Sequence, residues 1–475
     1  MISFSTALFV LIPASLAPIE PSAPQSTPPN ILILLLDDIG VDGLSAYDLG
    51  SDLPNTPVID GMAQDGMRFD NVWSNPVCSP TRSTIQTGRY VFRTGIGYTV
   101  TELTNALPQS EVTLPEMLKI SGVDYASAAF GKWHLGSSDN GGPLAPNIAG
   151  YDHYSGGLIN LHPPQNYNSW VKTTNGQTSQ VDRYITSETV TEARDWIKDQ
   201  KGLGPWLAYV AFHSPHTPHH APPSNLHTVD LSTAGTPIDD PRPYWKAMVE
   251  SVDTEIGRLF AEIDIDFNQT IVILLGDNGT NQTVILPPFE PTHGKGTAYQ
   301  GGVQVPMIIK GTGVANNSSC VALINTSDLF ATVAEIAGAK YPALFPNKRP
   351  NPGSGIYSQG TTVPQTIAGN ALDSISIAPY FVAPDLPSLR KFVWTELYRP
   401  STDVPPTIIR QAIRNQRYKL LMRTTPTAGE EILFFDLSED PHESNNLLGI
   451  GELTPIQQTA FDALAAQAEN ILSSK

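Results

Sequence analysis

The chain has 475 residues, 40% of them hydrophobic, and its 46 Asp and Glu against 28 Lys and Arg give a formal net charge of −18. A chain of that length buries one large core and a smaller one, so two folded units are expected. The acidic balance excludes a nucleic-acid surface, which needs clustered Lys and Arg, and an anionic ligand would have to be captured by a locally positive pocket against the overall field. With two cysteines, Cys78 and Cys320, a disulfide framework is also excluded.

Residues 1–17 carry an apolar stretch too short to span a bilayer, followed by a Pro/Ser-rich run to Pro29. Residues 1–28 therefore read as a signal peptide and linker, with a secreted or periplasmic destination and no stable membrane insertion. Four later segments share one pattern, an apolar run of strand length that ends in polar, reactive residues. They are Ile31–Leu36 before Asp37-Asp38, Tyr125–Phe130 before Gly131-Lys-Trp-His134, Trp206–Phe212 before His213-Ser-Pro-His216, and Ile271–Leu275 before Gly276-Asp-Asn-Gly279. Runs apolar on both faces are the mark of buried parallel strands, which deliver reactive groups to one sheet edge.

Helices are expected between them. Thr56-Pro57 reads as a cap and first-turn proline, a second helix starts at Pro80 with Ser79 as its cap, and Thr186–Lys198, Tyr244–Ile263 and Asp328–Ala337 carry apolar residues at helical spacing. Lys340–Gly369 reads as a long surface loop. Beyond Leu389 the texture changes to short strands, Lys391–Leu397, Thr407–Arg414, Tyr418–Arg423 and Glu431–Leu437, and a last helix from Thr454-Pro455. The fold expected is α/β, a doubly wound and mostly parallel sheet over 29–388, with a small α+β unit over 389–475 made of a short antiparallel sheet plus a helix.

Asp37, Asp38, Asp277 and Asn278 are hard oxygen donors at two strand ends, which suits Ca²⁺ or Mg²⁺ better than zinc. Each pair alone also fits a helix cap or a turn. Cys78-Ser-Pro-Thr-Arg82 puts a thiol at the start of a helix, where an anion would receive backbone N–H groups and the Arg82 guanidinium. A nucleophile there is expected to have a lowered pKa.

The segment Cys78-Ser-Pro-Thr-Arg82, continued to Thr87-Gly-Arg89, resembles the Cys-x-Pro-x-Arg signature of formylglycine-dependent (type I) sulfatases, in the alkaline phosphatase-like superfamily. Pro29–Asp38, Gly131-Lys-Trp-His-Leu-Gly136, Ala211-Phe-His-Ser-Pro-His216, Gly276-Asp-Asn-Gly279, Lys295-Gly-Thr-Ala-Tyr-Gln-Gly-Gly302 and Phe435-Asp-Leu-Ser-Glu-Asp-Pro-His-Glu-Ser-Asn-Asn-Leu447 resemble further segments of that family in order. The resemblance implies a sulfate monoester hydrolase acting on an aryl sulfate or sulfated carbohydrate. It implies Cys78 converted to formylglycine by a formylglycine-generating enzyme, a hydrate nucleophile and a covalent sulfo-enzyme. It places Asp37, Asp38, Asp277, Asn278 and residue 78 on a Ca²⁺ (or Mg²⁺), Arg82 beside the nucleophile, Lys132 and Lys295 on the sulfate, His134 as the base and His216 at the leaving oxygen. His213, His219 and His220 fit a structural or rim role equally well. Gln300 and Gln304 depart from the Glu and Arg that many members carry. A phosphonate or phosphoester hydrolase on the same site is the rival reaction. A non-catalytic anion-binding protein would follow if Cys78 stays unmodified.

Overall fold

A computed structural model describes residues 28–339, 366–367, 370–402 and 404–474. The signal-peptide reading of residues 1–28 and the loop reading of Lys340–Gly369 fall almost wholly outside the described residues.

Ten strands form the principal sheet: β1 (Asn30–Leu36), β2 (Met67–Trp73), β3 (Ala126–Gly131), β4 (His153–Gly156), β5 (Trp170–Thr174), β6 (Gln177–Val181), β7 (Trp206–Ala211), β8 (Thr270–Gly276), β9 (Met307–Gly311) and β10 (Ser318–Asn325). Their order is β10-β2-β9-β8-β1-β7-β3-β4-β5-β6. The centre, β8-β1-β7-β3-β4, is parallel throughout. Antiparallel β9 sits between β8 and β2, and β4-β5-β6 is an antiparallel edge.

The unbroken apolar run of β1 reflects cover on both faces. Ile31, Ile33 and Leu35 point into one core, and Leu32, Leu34 and Leu36 into the other. Each such buried side chain contributes about 1.5–3 kcal/mol. The helices Ile185–Asp199 and Pro241–Ile263 cover the second face with Val190, Ala193, Val252 and Ile256, and the helix Asp328–Ile336 covers the first with Leu329 and Val333. The register sets the carboxyl ends of the parallel strands in line, with Leu35 opposite both Leu275 and Ala211, and Ala211 opposite Gly131. Asp37, Asp277, His213 and Lys132 therefore leave the sheet at one edge.

After a two-residue pair of strands, β11 (Thr366–Ile367) and β12 (Asn370–Ala371), the chain forms an antiparallel meander of β13 (Val393–Arg399), β14 (Ile408–Arg414), β15 (Tyr418–Thr425) and β16 (Gly429–Asp436). One face of the meander, with Val393, Ala412, Leu421, Leu433 and Phe435, packs on Trp73, Tyr299, Val303 and Leu323 of the larger unit. On the other face, Trp394, Ile413, Leu420 and Phe434 meet Leu464, Ala468 and Ile471 of the helix Pro455–Ser473.

Candidate active site

Four strand ends, one helix and one loop converge on the carboxyl edge of the sheet. Asp37 and Asp38 follow β1, Lys132 and His134 follow β3, His213 and His216 follow β7, and Asp277 and Asn278 follow β8. The helix Cys78–Thr87 brings Cys78 and Arg82, and the loop after Asn278 brings Lys295. All of these except His216 and Lys295 are 3% exposed or less.

Arg82 donates to Asp277 Oδ2 from Nε (3.1 Å) and Nη2 (2.8 Å), and to the Lys132 carbonyl from Nη1 (2.7 Å). The Lys132 ammonium reaches Asp37 Oδ2 at 2.5 Å and the Lys295 ammonium reaches Asp38 Oδ1 at 2.5 Å. Asn278 Nδ2 donates to Asp38 Oδ1 (3.0 Å), and the Asp38 amide donates to Asp277 Oδ1 (3.1 Å). Cys78 Sγ lies 3.2 Å from His134 Nδ1. His216 Nδ1–H donates to the Thr217 carbonyl (2.6 Å), which turns Nε2 toward Asp38 Oδ2 at 3.9 Å. Both Asp38 (φ 65°) and His134 (φ 62°) have left-handed backbone, a strain of order 1–3 kcal/mol each of the kind found at reactive sites.

Three buried oxygens of this cluster, Asp37 Oδ1, Asp38 Oδ2 and Asn278 Oδ1, have no hydrogen-bond partner. Leaving a buried acceptor unpaired costs about 1–3 kcal/mol. Asp37, Asp277 and Cys78 present donor atoms within 4.8 Å of one another, as do Asp37, Asp38 and His216. Orphaned hard oxygens converging at this separation fit a divalent cation such as Ca²⁺ or Mg²⁺.

The electrostatics point the same way. Burial pushes Asp37 up, but Lys132, His216 and Arg82 outweigh it and hold the carboxyl well below its ordinary value. Asp38 is likewise lowered, with burial overcome by Lys295 and His216. At Asp277 burial and the Asp37 charge prevail over Arg82, and the carboxyl is pushed up to about 7. Burial, reinforced by Lys132 and Arg82, pushes His134 well below its usual range, and burial with Lys295 brings His216 to about 4. Both imidazoles are neutral at pH 7.

Two expectations are corrected. The Cys78 thiol is pushed up, because burial and the Asp37 and Asp277 charges outweigh Lys132 and Lys295. A buried thiol among carboxylates is a poor thiolate, whatever the helix end contributes. The helix begins at Cys78, with Val77 at the cap position, so Pro80 sits within its first turn. Ser79 does not cap. Its hydroxyl donates to the His134 carbonyl (2.8 Å) and accepts from the Val100 amide (3.0 Å), tying the helix that starts at Cys78 to the loop that carries His134.

Two further supporting groups, Tyr167 and Thr280, gave no sequence signal. The Tyr167 hydroxyl, from the stretch between β4 and β5, bonds the carbonyls of His213 (2.8 Å) and His216 (2.5 Å). His213 is buried with both ring nitrogens unpartnered. Thr280 Oγ1 accepts from the Gly40 amide (3.0 Å) and donates to Asp42 (2.8 Å), joining the loops that follow β1 and β8. Glycine is required at 279, where a Cβ would fall 1.9 Å from the Gly301 carbonyl oxygen. His219 and His220 lie outside the oxygen cluster, with the His220 ring packed at a tilt against Tyr167, 4.1 Å between centroids. His153, on β4, accepts at Nδ1 from Asn175 Nδ2 (3.2 Å).

A family model described as Sulfatase matches residues 29–339. N-acetylgalactosamine-6-sulfatase of Homo sapiens is 32% identical over 359 residues, 68% of this chain and 64% of that protein. The chain thus spans less than two thirds of that relative. Arylsulfatase A of Bos taurus is 27% identical over 489 residues, 90% of this chain and 85% of that protein. Among solved structures, Ps i-CgsB superposes with a TM-score of 0.74 at 22% identity, covering 94% of this chain and 92% of its own. BT4656, in complex with its substrate D-glucosamine-2-N,6-O-disulfate, gives 0.67 at 20% identity, covering 94% and 99%. The sheet, its carboxyl-edge cluster and the match over residues 29–339 lead to one conclusion: the chain belongs to the sulfatase family, within the alkaline phosphatase-like superfamily.

Proposed function

We propose that this protein is a sulfuric ester hydrolase that cleaves a sulfate monoester of a carbohydrate, with residue 78 as the nucleophile in its formylglycine form. The observation that carries the reading is the placing of Cys78 Sγ within 4.8 Å of donor oxygens of Asp37 and Asp277 and 3.2 Å from His134. Sγ marks where an oxygen of the modified side chain would lie. The raised thiol pKa supports the same step, since the unmodified side chain is held as a neutral thiol and is a weak nucleophile.

Asp37, Asp38, Asp277 and Asn278, with residue 78, would hold the cation, Ca²⁺ by its preference for many oxygen donors, with Mg²⁺ the alternative. When bound, it supplies Lewis-acid chemistry, acidifying a coordinated hydroxyl and offsetting charge on the sulfuryl group. The chain's own residues do the rest. Lys132 and Lys295 present ammonium groups to the equatorial sulfate oxygens, where negative charge grows in the transition state. Lys295 keeps its proton, because the charge of Asp38 set against it works against burial, so it can neutralise the leaving alkoxide. His216, with Nδ1–H fixed on Thr217, offers Nε2 to the leaving group or a water. His134, neutral and adjacent to residue 78, accepts the proton when sulfate is expelled. Arg82 fixes Asp277 and the Lys132 backbone, positioning both.

The sulfated carbohydrate is proposed from the relatives: N-acetylgalactosamine-6-sulfatase by name, and BT4656 by its bound sugar. Maturation by a formylglycine-generating enzyme, and a secreted or periplasmic setting, belong to the same proposal. No helix among the described residues is long and apolar enough to cross a membrane. The test is sulfate release, read by ion chromatography, from N-acetylgalactosamine 6-sulfate, glucosamine 6-sulfate and a chromogenic aryl sulfate. Turnover of a sugar sulfate that is lost in Cys78→Ala is expected. Release from none of them, by protein carrying the modification and Ca²⁺, would overturn the reading.

A further inference from the structure

The oxygen cluster leaves unexplained three arginines on the adjoining sheet. On one face of the meander, Arg410 of β14 lies directly opposite Arg423 of β15, and the same row holds Leu397 of β13 and Glu431 of β16. Arg399 follows on that face one row beyond, opposite Ile408. Like charges facing one another across a strand pair destabilise a sheet. Glu431 is the one carboxylate in the row, and Arg423 takes it at 2.5 Å. Arg410 donates instead to the Gly296 carbonyl, and the exposed Arg399 guanidinium lies 4.9 Å from the centroid of the Tyr98 ring. Burial and the Arg423 and Arg399 charges push Arg410 below its ordinary value. In a chain of net charge −18, this is a local concentration of positive charge, and among the described residues of these two rows Glu431 is the one carboxylate set against it.

Its position is informative. Gly296 follows Lys295, whose ammonium reaches Asp38. Tyr98 is two residues from Val100, whose amide donates to Ser79 beside Cys78. The arginines are thus held by the two segments that flank the reactive side chain. We propose that Arg399 and Arg410, with Tyr98, form a second anion subsite beside the Cys78 pocket, taking a further sulfate or a uronate carboxylate of the same glycan. This deepens the carbohydrate-sulfatase reading and rests on it: the substrate class is a polyanionic glycan. Guanidinium suits the task, because its planar fork matches both carboxylate and sulfate oxygens and is weakly hydrated.

The test titrates three probes by calorimetry into Cys78→Ala protein, and measures their turnover by the parent enzyme. The probes are N-acetylgalactosamine 6-sulfate, its 4,6-disulfate, and a disaccharide joining the 6-sulfated sugar to a uronate. One or both dianionic probes are expected to bind about tenfold tighter than the monosulfate, in line with one charge-assisted contact at a half-exposed site. Which of them gains identifies the group. Arg399→Ser and Arg410→Gln should each remove most of that ratio, and Arg410→Gln keeps a donor for Gly296. Arg417→Ser, on the same sheet but paired with Asp436, should retain it. An unchanged binding ratio when either substitution is added to the Cys78→Ala protein, or no preference for either dianion in the Cys78→Ala protein itself, overturns the inference. Binding is read without turnover, so an inactive parent would sink the sulfatase reading while the ratio still decides the subsite.

Discussion

Lys419→Met is expected to destabilise the protein by about 3–5 kcal/mol, and adding Glu443→Gln should recover most of that loss. Lys419 and Glu443 are fully buried side chains with Nζ and Oε1 2.5 Å apart. Neither atom has a well-directed hydrogen bond, although Glu443 also accepts from the Gln300 amide and Lys419 lies 4.8 Å from the centre of the Trp73 ring. Burial brings Lys419 down to about 8 and pushes Glu443 up, so desolvation exceeds the mutual attraction. Such a pair contributes little net stability, but removing one partner leaves a bare buried charge, at about 3–5 kcal/mol. In the double variant a neutral Gln keeps its acceptor for Gln300, and stability should return to within about 2 kcal/mol of the parent. Urea unfolding of the parent, both single variants and the double variant measures the cycle. A double variant destabilised by the sum of the singles would refute the reasoning.

Chelation should lower the melting temperature of the parent, and Ca²⁺ at a hundred times its dissociation constant should restore about 2.7 kcal/mol. Asn278→Leu should abolish that response, and an unaltered calcium shift in the variant would speak against the assigned ligands. His219 is 8% exposed, and burial holds it at about 4 against an ordinary 6.5. The unfolded chain therefore binds its proton first as pH falls, so stability should drop between pH 6.5 and 4 by up to about 1.4 kcal/mol per unit from this residue. His219→Gln should flatten that slope in pH-dependent unfolding. An equal slope would remove His219 as a contributor. Gly131→Ala should cost activity and stability together, because its φ is 79° and a Cβ would meet the Ala211 carbonyl oxygen at 2.0 Å. Circular dichroism melts and turnover check it, and a variant that matches the parent would show that this backbone can relax.

The parallel centre of the sheet was legible because Ile31–Leu36, Trp206–Phe212 and Ile271–Leu275 are apolar on both faces, a pattern that only two-sided burial rewards. Their polar sequels then had to share one edge. The C-terminal antiparallel meander was legible as short strands with turns, but the antiparallel strands of the principal sheet were not. The β2 sequence Met-Arg-Phe-Asp-Asn-Val-Trp mixes polar and apolar residues, and β6 is polar on nearly every residue because it is an exposed edge. Of the site, the groups with unusual chemistry for their context could be read: paired carboxylates, a thiol before a helix, Lys and His after a strand. What could not be read were groups whose role is set by tertiary contact, such as Tyr167 under the His213 and His216 carbonyls. The same holds for the state of Cys78, where helix-end logic predicts acidification and burial among carboxylates prevails.

The most direct test of the account compares hydrolysis of an aryl sulfate with that of the matching aryl phosphate and phosphonate esters, on protein coexpressed with a formylglycine-generating enzyme and supplied with Ca²⁺. Mass spectrometry of the Cys78 peptide, about 18 Da lighter when modified, is read alongside. Dominant sulfate turnover that tracks the modified fraction and disappears in Cys78→Ala is the predicted result. Dominant phosphonate or phosphate turnover, or sulfate hydrolysis by protein whose Cys78 is wholly unmodified, would contradict it.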